Sequence, residues 1–339
     1  MKVRFVRTSV FPHGLAPSEE KRVFQVIERC GRTAYKSEDR ITDDSARSFV
    51  LMLKKHGHLS VLEHSNIALR IRENPARGNL PGIPSVQEFC ESLRKNVRER
   101  SAYHRTCNTY ENGGLVFVIA ANLRAWIETL EYLKQEATRY YAFLGHHLGR
   151  LFPGFFQQET SLPDDFRYDV STVPEGFQLE LLRKDPRSDL PVFIFKLVCD
   201  RGITHEIVRH RVLSFTQEST RYVNYGNTGM TLILPEELEP FYNEERMGFT
   251  GDDPRAQEWI RRGEIIFDWY QADIARGLRP EIARDVLPNL LKSEIFVSGR
   301  WSGWSHFISL RDSRQAHPRI RFIAKEVRRY FESVGLATA

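Results

Sequence analysis

The chain has 339 residues, 41% of them hydrophobic and 27% charged, and a formal charge of +5. That composition excludes wholesale disorder, and the lack of an 18-residue apolar run excludes a membrane-spanning helix. Cys30, Cys90, Cys107 and Cys199 are too scattered for a zinc ribbon or a disulfide framework. With an N-terminus that has no long apolar core, they predict a cytosolic protein without a secretory leader. The length suits two domains or one large α/β domain. The mild basic excess suits nucleic acid or small ligands that carry phosphate.

In chain order, residues 18–36 read as a helix with Val23, Val26 and Ile27 on one face. A second helix is expected from an N-cap at Thr42 to Gly57, with Ala46, Phe49, Val50 and Leu53 at helical spacing. Ile67, Leu69 and Ile71 then alternate with Ala68, Arg70 and Arg72, as in a half-buried strand. Residues 73–192 differ in texture and read as an insertion or subdomain. They hold a Pro/Gly-rich stretch (74–84), a capping box at Ser85 and Glu88 that opens a helix to about Arg98, and a strand at 113–120. A helix marked by Leu123, Trp126, Ile127 and Leu130 and a polar, Pro-containing segment (161–176) follow.

Beyond the insertion, 192–198 is a buried strand, 200–211 a short helix and 231–235 another strand. A long helix is expected over 254–276, a strand over 295–299 and a helix over 301–311. A last helix has Pro318 in its first turn and a stripe of Ile320, Ile323, Ala324, Val327, Tyr330 and Phe331. The interspersed order predicts an α/β or α+β fold, a mixed sheet with long flanking helices. One internal echo, residues 117–126 against 296–304, pairs two strand-to-helix units that each carry a tryptophan. At this level it reads as chance similarity.

The densest polar cluster is Arg209-His210-Arg211, followed by Ser214, Thr216, Gln217, Glu218, Ser219, Thr220 and Arg221. Three guanidiniums so close repel one another and call for an anion, which Arg holds in a planar two-bond fork. A solvated basic helix end is the plainer alternative. His56, His58, Glu63 and His64 form a second cluster without zincin spacing, which fits a polar or ligand-lining turn better than a metal site. Arg284, Arg300, His306 and Arg311 form a third. Arg311 sits beside Phe307 and Ile308, so it needs an acidic partner such as Asp312 or a distant carboxylate. No GxGxxG and no P-loop occur, so an anion cradle here is built from arginines.

The pattern Arg209-His210-Arg211, seven residues, then Ser219 resembles the RHR-x7-S motif of the flavin-dependent thymidylate synthases. Residues 56–64 (HGHLSVLEH) resemble that family's HGH turn, and 283–288 (ARDVLP) and Ile308–Arg311 resemble its C-terminal half. The resemblance covers about 1–72 and 193–335 and implies one catalytic domain of that family's fold, with 73–192 inserted. It implies reductive methylation of dUMP to dTMP, with 5,10-methylenetetrahydrofolate as carbon donor and NADPH reducing a bound FAD. It further implies a homotetramer with FAD sites between chains, and no nucleic acid, membrane or metal. A basic nucleic-acid-binding protein, or a flavoprotein of the same fold acting on another pyrimidine nucleotide, are the alternatives.

By resemblance, His58, Ser60, Arg209, His210, Arg211, Gln217, Arg300, Ser302 and His306 would meet flavin. Glu206, Arg209, Gln217, Glu218, Ser219, Thr220, Arg221 and Arg284 would meet dUMP, and Arg311 would polarise the uracil as the catalytic residue. Arg300 and Ser302 depart from the Asn and Arg of some members. Asn122-Leu123-Arg124 resembles that missing Asn-x-Arg pattern, inside a segment expected to cover the folate or NADPH entrance.

Overall fold

A computed structural model describes residues 3–74, 85–98, 103–111, 113–157 and 168–336. The Pro/Gly-rich stretch beyond Asn74 and the first half of the 161–176 segment lie outside the described residues.

The chain opens with β1 (Val3–Val6) and β2 (Ser9–Leu15) and enters α1 (Glu20–Tyr35). Val23, Phe24 and Ile27 bury one face of α1, and Lys36 ends it in the left-handed region at φ 49°, its N–H on the carbonyls of Arg32 and Thr33. The next helix, α2 (Ser45–Lys55), starts three residues after the expected cap at Thr42. The Ser45 hydroxyl instead takes the Thr42 N–H at 2.8 Å. Helices α1 and α2 pack closely because Gly31 faces the Phe49 ring, where a Cβ would stand 2.6 Å from a ring carbon. Gly57, at φ 72°, turns the chain into a 3-10 turn over Leu59–Glu63.

Two four-stranded antiparallel sheets follow. The first is built from β3 (Ile67–Glu73), β4 (Arg105–Glu111), β5 (Gly114–Ala121) and β6 (Tyr168–Thr172), in the order β4-β5-β3-β6. Around it lie α3 (Val86–Arg98), α4 (Leu123–Glu136), α5 (Thr138–Leu151) and α6 (Glu175–Lys184). The second contains β7 (Val192–Asp200) and, after α7 (Arg201–Ile207), β8 (Ser214–Gln217). A smaller lobe follows: α8 (Tyr225–Thr228), β9 (Met230–Ile233), the β10 (Tyr242–Asn243) and β11 (Gly248–Phe249) pair, α9 (Pro254–Ala275) and α10 (Pro280–Ala283). The chain then returns through β12 (Lys292–Arg300), α11 (Trp301–Arg311) and α12 (Pro318–Ser333). The second sheet runs β2-β7-β12-β8, and β1 pairs in parallel with β9.

The central strands of both sheets are apolar on both faces. Ile67, Ile71, Phe117 and Trp126 meet α1 and α2 residues in one core. Phe193, Phe195, Trp304, Val327 and Phe331 form another. The small lobe packs Val3, Phe5 and Leu232 against Phe267 and Tyr270 of α9. The fold is thus mixed α/β, as the interspersed elements predict.

The helix expected over 200–211 is shorter than its pattern. It is capped by Asp200, whose Oδ1 takes the Ile203 N–H at 2.9 Å, and α7 stops at Ile207. Arg209, His210 and Arg211 lie on the turns after it, which directs the histidine inward and leaves both arginines exposed.

Candidate active site

The 3-10 turn, β8 and the loop after it enclose a cleft of about 490 Å³. His58 and Ser60 line it from the turn. Gln217, Glu218, Ser219, Thr220 and Arg221 line it from β8 and its loop, and Arg284 from the end of α10. Backbone bonds fix the loop: the Ser219 N–H donates to the Ala34 carbonyl at 3.0 Å, and the Glu218 N–H to that of Glu294 at 2.8 Å. Arg284 donates to Thr220 Oγ1 at 3.3 Å. Gln217 turns its amide under the sheet, onto Thr204 Oγ1 and Ser293 Oγ. Sequence reasoning missed three lining residues, Arg201, Tyr35 and Tyr222. Arg201 could have been noticed as an arginine at the exit of a buried strand; the two tyrosines give no local signal. Among the described residues, none of Arg201, Arg221 and Arg284 has a carboxylate within ion-pair distance.

Below the loop lies a packed charge network. Glu218, 3% exposed, accepts from the Tyr225 hydroxyl and Lys292 Nζ, both at 3.0 Å. Glu294 is bonded by Lys292 at 2.6 Å, by Lys196 at 2.5 Å and by Lys36. Burial works against the Lys292 ammonium, but the two carboxylates outweigh it and raise its pKa. Glu38, 3.8 Å from Lys36, adds a third carboxylate, so the three ammonium groups and three carboxylates of this floor balance.

A second cavity, about 390 Å³, opens at the start of β8, beside Val212 and Ser214, and is lined by Arg300, Ser302 and His306. Arg300 is not free there. It donates to the carbonyls of Asp189 (3.1 Å), Leu190, Tyr103 (3.1 Å) and Ala120 (3.3 Å) and to Asn66 Oδ1. Burial pushes its pKa down to about 9, so it stays charged at neutral pH. Ser302 donates to Asp189 Oδ2 at 2.6 Å. Glu63 accepts from Ser214 (2.7 Å) and Arg124 (2.7 Å). His64 lies buried behind β8, with Nδ1 on Ser298 Oγ and Nε2 on Thr216 Oγ1, each at 2.9 Å. Burial pushes its pKa down to about 3, so the ring is neutral. Among the described residues no group of three His, Cys, Asp or Glu side chains could hold a metal ion.

Of the third cluster, Arg311 alone lines neither cavity, and it joins Glu206 and His210, whose ring lies 6.1 Å from that of His306. Arg311 ends α11 and donates from Nη1 to Glu206 Oε2 at 2.8 Å and from Nε to His210 Nε2 at 3.0 Å. The distant acid is therefore Glu206, while Asp312 pairs with Arg328. Accepting a guanidinium N–H requires a neutral imidazole. Burial, with Arg311 and His306 adding to it, pushes the His210 pKa down to about 4. Arg209 and Arg211 are exposed, as are the apolar Val208, Val212 and Leu310 on the same elements.

Residues 188–334 match the family model described as thymidylate synthase complementing protein. A flavin-dependent thymidylate synthase from Pyrococcus abyssi is 31% identical over 128 residues, 37% of this chain and 48% of that one. The Mycobacterium marinum protein of the same description is 36% identical over 140 residues, covering 40% and 56%. The chain thus spans about half the length of these curated relatives. A third, from Aquifex aeolicus, is 24% identical over 332 residues, 92% of this chain and 94% of that one. Among solved structures, the UMP/dUMP methylase PolB from Streptomyces cacaoi bound with 5-Br dUMP aligns with a TM-score of 0.36 at 23% identity, over 47% of this chain and 74% of PolB.

Proposed function

We propose that this chain, whose residues 188–334 match the thymidylate synthase complementing protein family model, is a flavin-dependent thymidylate synthase. It would convert dUMP to dTMP, with 5,10-methylenetetrahydrofolate as carbon donor and NADPH as reductant of FAD. The observation that carries this reading is the first cleft: Arg201, Arg221 and Arg284, which have no carboxylate within ion-pair distance among the described residues, line it together with the hydroxyl residues Ser219 and Thr220, and Arg284 donates to Thr220. That is a donor set for a nucleotide phosphate. It is recessed, which suits a small nucleotide better than the face of a nucleic-acid duplex.

The exposed Arg209 and Arg211 fit the pyrophosphate of a dinucleotide, and His58, Ser60 and His306 fit its flavin ring. FAD, when bound, supplies the hydride chemistry. The chain's own residues bind and orient. Arg221, Arg284 and Ser219 hold the dUMP phosphate. Arg311, aimed by Glu206 and by neutral His210, stabilises negative charge on the pyrimidine, an electrostatic contribution of the kind that dominates many active sites. In one chain the Glu206–Arg311 group does not line the cleft that holds Ser219. We therefore read the site as completed by a second copy, in a homotetramer, with the exposed Val208, Val212 and Leu310 at the contact.

The test is dTMP formation from dUMP with NADPH and the folate, alongside Arg311→Ala. The variant should lose about 100-fold or more in kcat while still binding dUMP. Full turnover in the variant would remove the role given to Arg311.

A further inference from the structure

The two sheets repeat one plan. In the first, β3, β4 and β5 are followed by α4 and α5. In the second, β7, β8 and β12 are followed by α11 and α12. The orders β6-β3-β5-β4 and β2-β7-β12-β8 coincide when β3 is laid on β7 and β5 on β12, and every pairing is antiparallel in both. The edge strands are crossed. β2, which leads the first half, pairs in the sheet of the second; β6, which leads the second half, pairs in the sheet of the first.

The side chains follow the same plan. Asn122 and Arg300 each join a strand to a helix, at φ, ψ of −76°, 166° and −78°, 165°. Four residues on, Trp126 and Trp304 are each fully buried. Trp126 donates Nε1–H to the carbonyl of Ile67, and Trp304 to that of Phe193. Ile67 pairs with Ala121 and Phe193 with Gly299, the residues just before the two junctions. The carboxylates match too. Glu63 receives Arg124 of its own half and Ser214 of the other. Asp189 receives Ser302 of its own half and faces Arg105 of the other at 3.5 Å. Ser214 and Arg105 occupy the same register opposite β12 and β5, against Ser298 and Ala120. Chance does not produce this reciprocity, so the echo in the sequence is a structural repeat.

We infer that residues 9–151 and 168–333 are two copies of one folding unit with exchanged first strands. We infer further that the N-terminal copy still supplies a binding residue: Asn122, whose side-chain amide donates to a carbonyl of the flavin ring in the second cavity. On this reading residues 73–192 complete the first copy and lead into the second. The inference rests on the flavin reading above. The cavity lies between the copies, with Asn122 on one side and its counterpart Arg300 on the other. Arg300 is consumed by carbonyls. Asn122 is 6% exposed, and its Oδ1 caps α4 by accepting from the Ala125 N–H at 2.8 Å. Its NH₂ has no acceptor among the described residues and belongs to a residue that lines the cavity. The amide therefore faces the cavity with its cap oxygen already engaged, placed to donate to a ligand there.

Asn122→Ser separates the two roles, because serine keeps the helix cap and lacks the amide. The protein is stripped of flavin and titrated with FAD, followed by visible absorbance and flavin fluorescence. Asn122→Ser should weaken FAD binding about tenfold, the effect of one lost hydrogen bond, and shift the visible band, at an unchanged melting temperature. Asn122→Asp also keeps the cap, and it should weaken binding further by setting a carboxylate against the carbonyl; it decides the matter if the serine variant folds poorly. Wild-type uptake of FAD with both variants unaltered in affinity and spectrum overturns this inference alone. A wild-type protein that takes up no FAD overturns both it and the flavin reading.

Discussion

Lys292 shows how single side chains set the cleft. Its ammonium sits between Glu218 and Glu294, at 3.0 and 2.6 Å, directly below the loop that carries Ser219 and Arg221. Removing one member of a buried ion network leaves the other charge uncompensated. Lys292→Met is therefore predicted to cost about 3 kcal/mol of stability in urea unfolding, and to raise the KM for dUMP more than it lowers kcat, because the loop loses its floor. A variant within about 0.5 kcal/mol of wild type, the range of ordinary surface substitutions, would show that Lys36, 3.6 Å from Glu218, suffices as a partner. Arg311 is set differently. Its Nε–H is accepted by a histidine that must stay neutral, so the guanidinium is aimed without being cancelled by two acids.

Elements were legible where one face is apolar and illegible where a buried face is polar. The stripes of α1, α2 and α12, and the apolar runs of β7 and β12, can be read from the sequence because burial there is hydrophobic. Strand β8 cannot: its inward residues, Ser214 and Thr216, are polar and are buried against Glu63 and His64. For the same reason the chain's motif could be found while its path could not, since RHR-x7-S runs from the turns after α7 through β8 into the loop. The charge network under that loop was also missed, because Lys36, Lys196 and Glu294 come from three separate elements. The contact of α1 with α2 yields a prediction at this scale. Gly31→Ala sets a methyl against the buried Phe49 ring and should destabilise the protein by about 1–3 kcal/mol, and Phe49→Leu in the same chain should recover part of that loss. Equal urea midpoints for Gly31→Ala and wild type would mean the helices separate at no cost.

At the scale of the whole molecule, buried histidines shape the response to acid. His64, His147 and His210 are held at about 3, 4 and 4 by burial, against about 6.5 in an unfolded chain. Between those values the unfolded state binds protons that the folded state refuses. Stability is therefore full above about pH 6.5 and falls as pH drops toward 4. Urea unfolding across pH 4–8 should show that slope, and a flat profile over the range would mean these rings are solvated. The two-copy plan also accounts for what the sequence withheld. The HGH turn and Asn122 lie in one half, the RHR segment, Arg284 and Arg311 in the other, so the resemblance looks interrupted although the sheets are continuous.

On the proposed function, arginine-lined hollows bring a flavin and dUMP together for methyl transfer without a cysteine nucleophile. This reading is tested most directly by reducing the flavin of the purified protein with NADPH under nitrogen, then mixing it with dUMP and 5,10-methylenetetrahydrofolate while following the flavin band and quenching for dTMP. Reoxidation of the flavin is expected only when both partners are present, with one dTMP formed per flavin reoxidised, and with the same yield from a Cys107→Ala variant, since Cys30, Cys90 and Cys199 are buried. Reoxidation without dTMP, or dTMP formed by protein that holds no flavin, would contradict this reading.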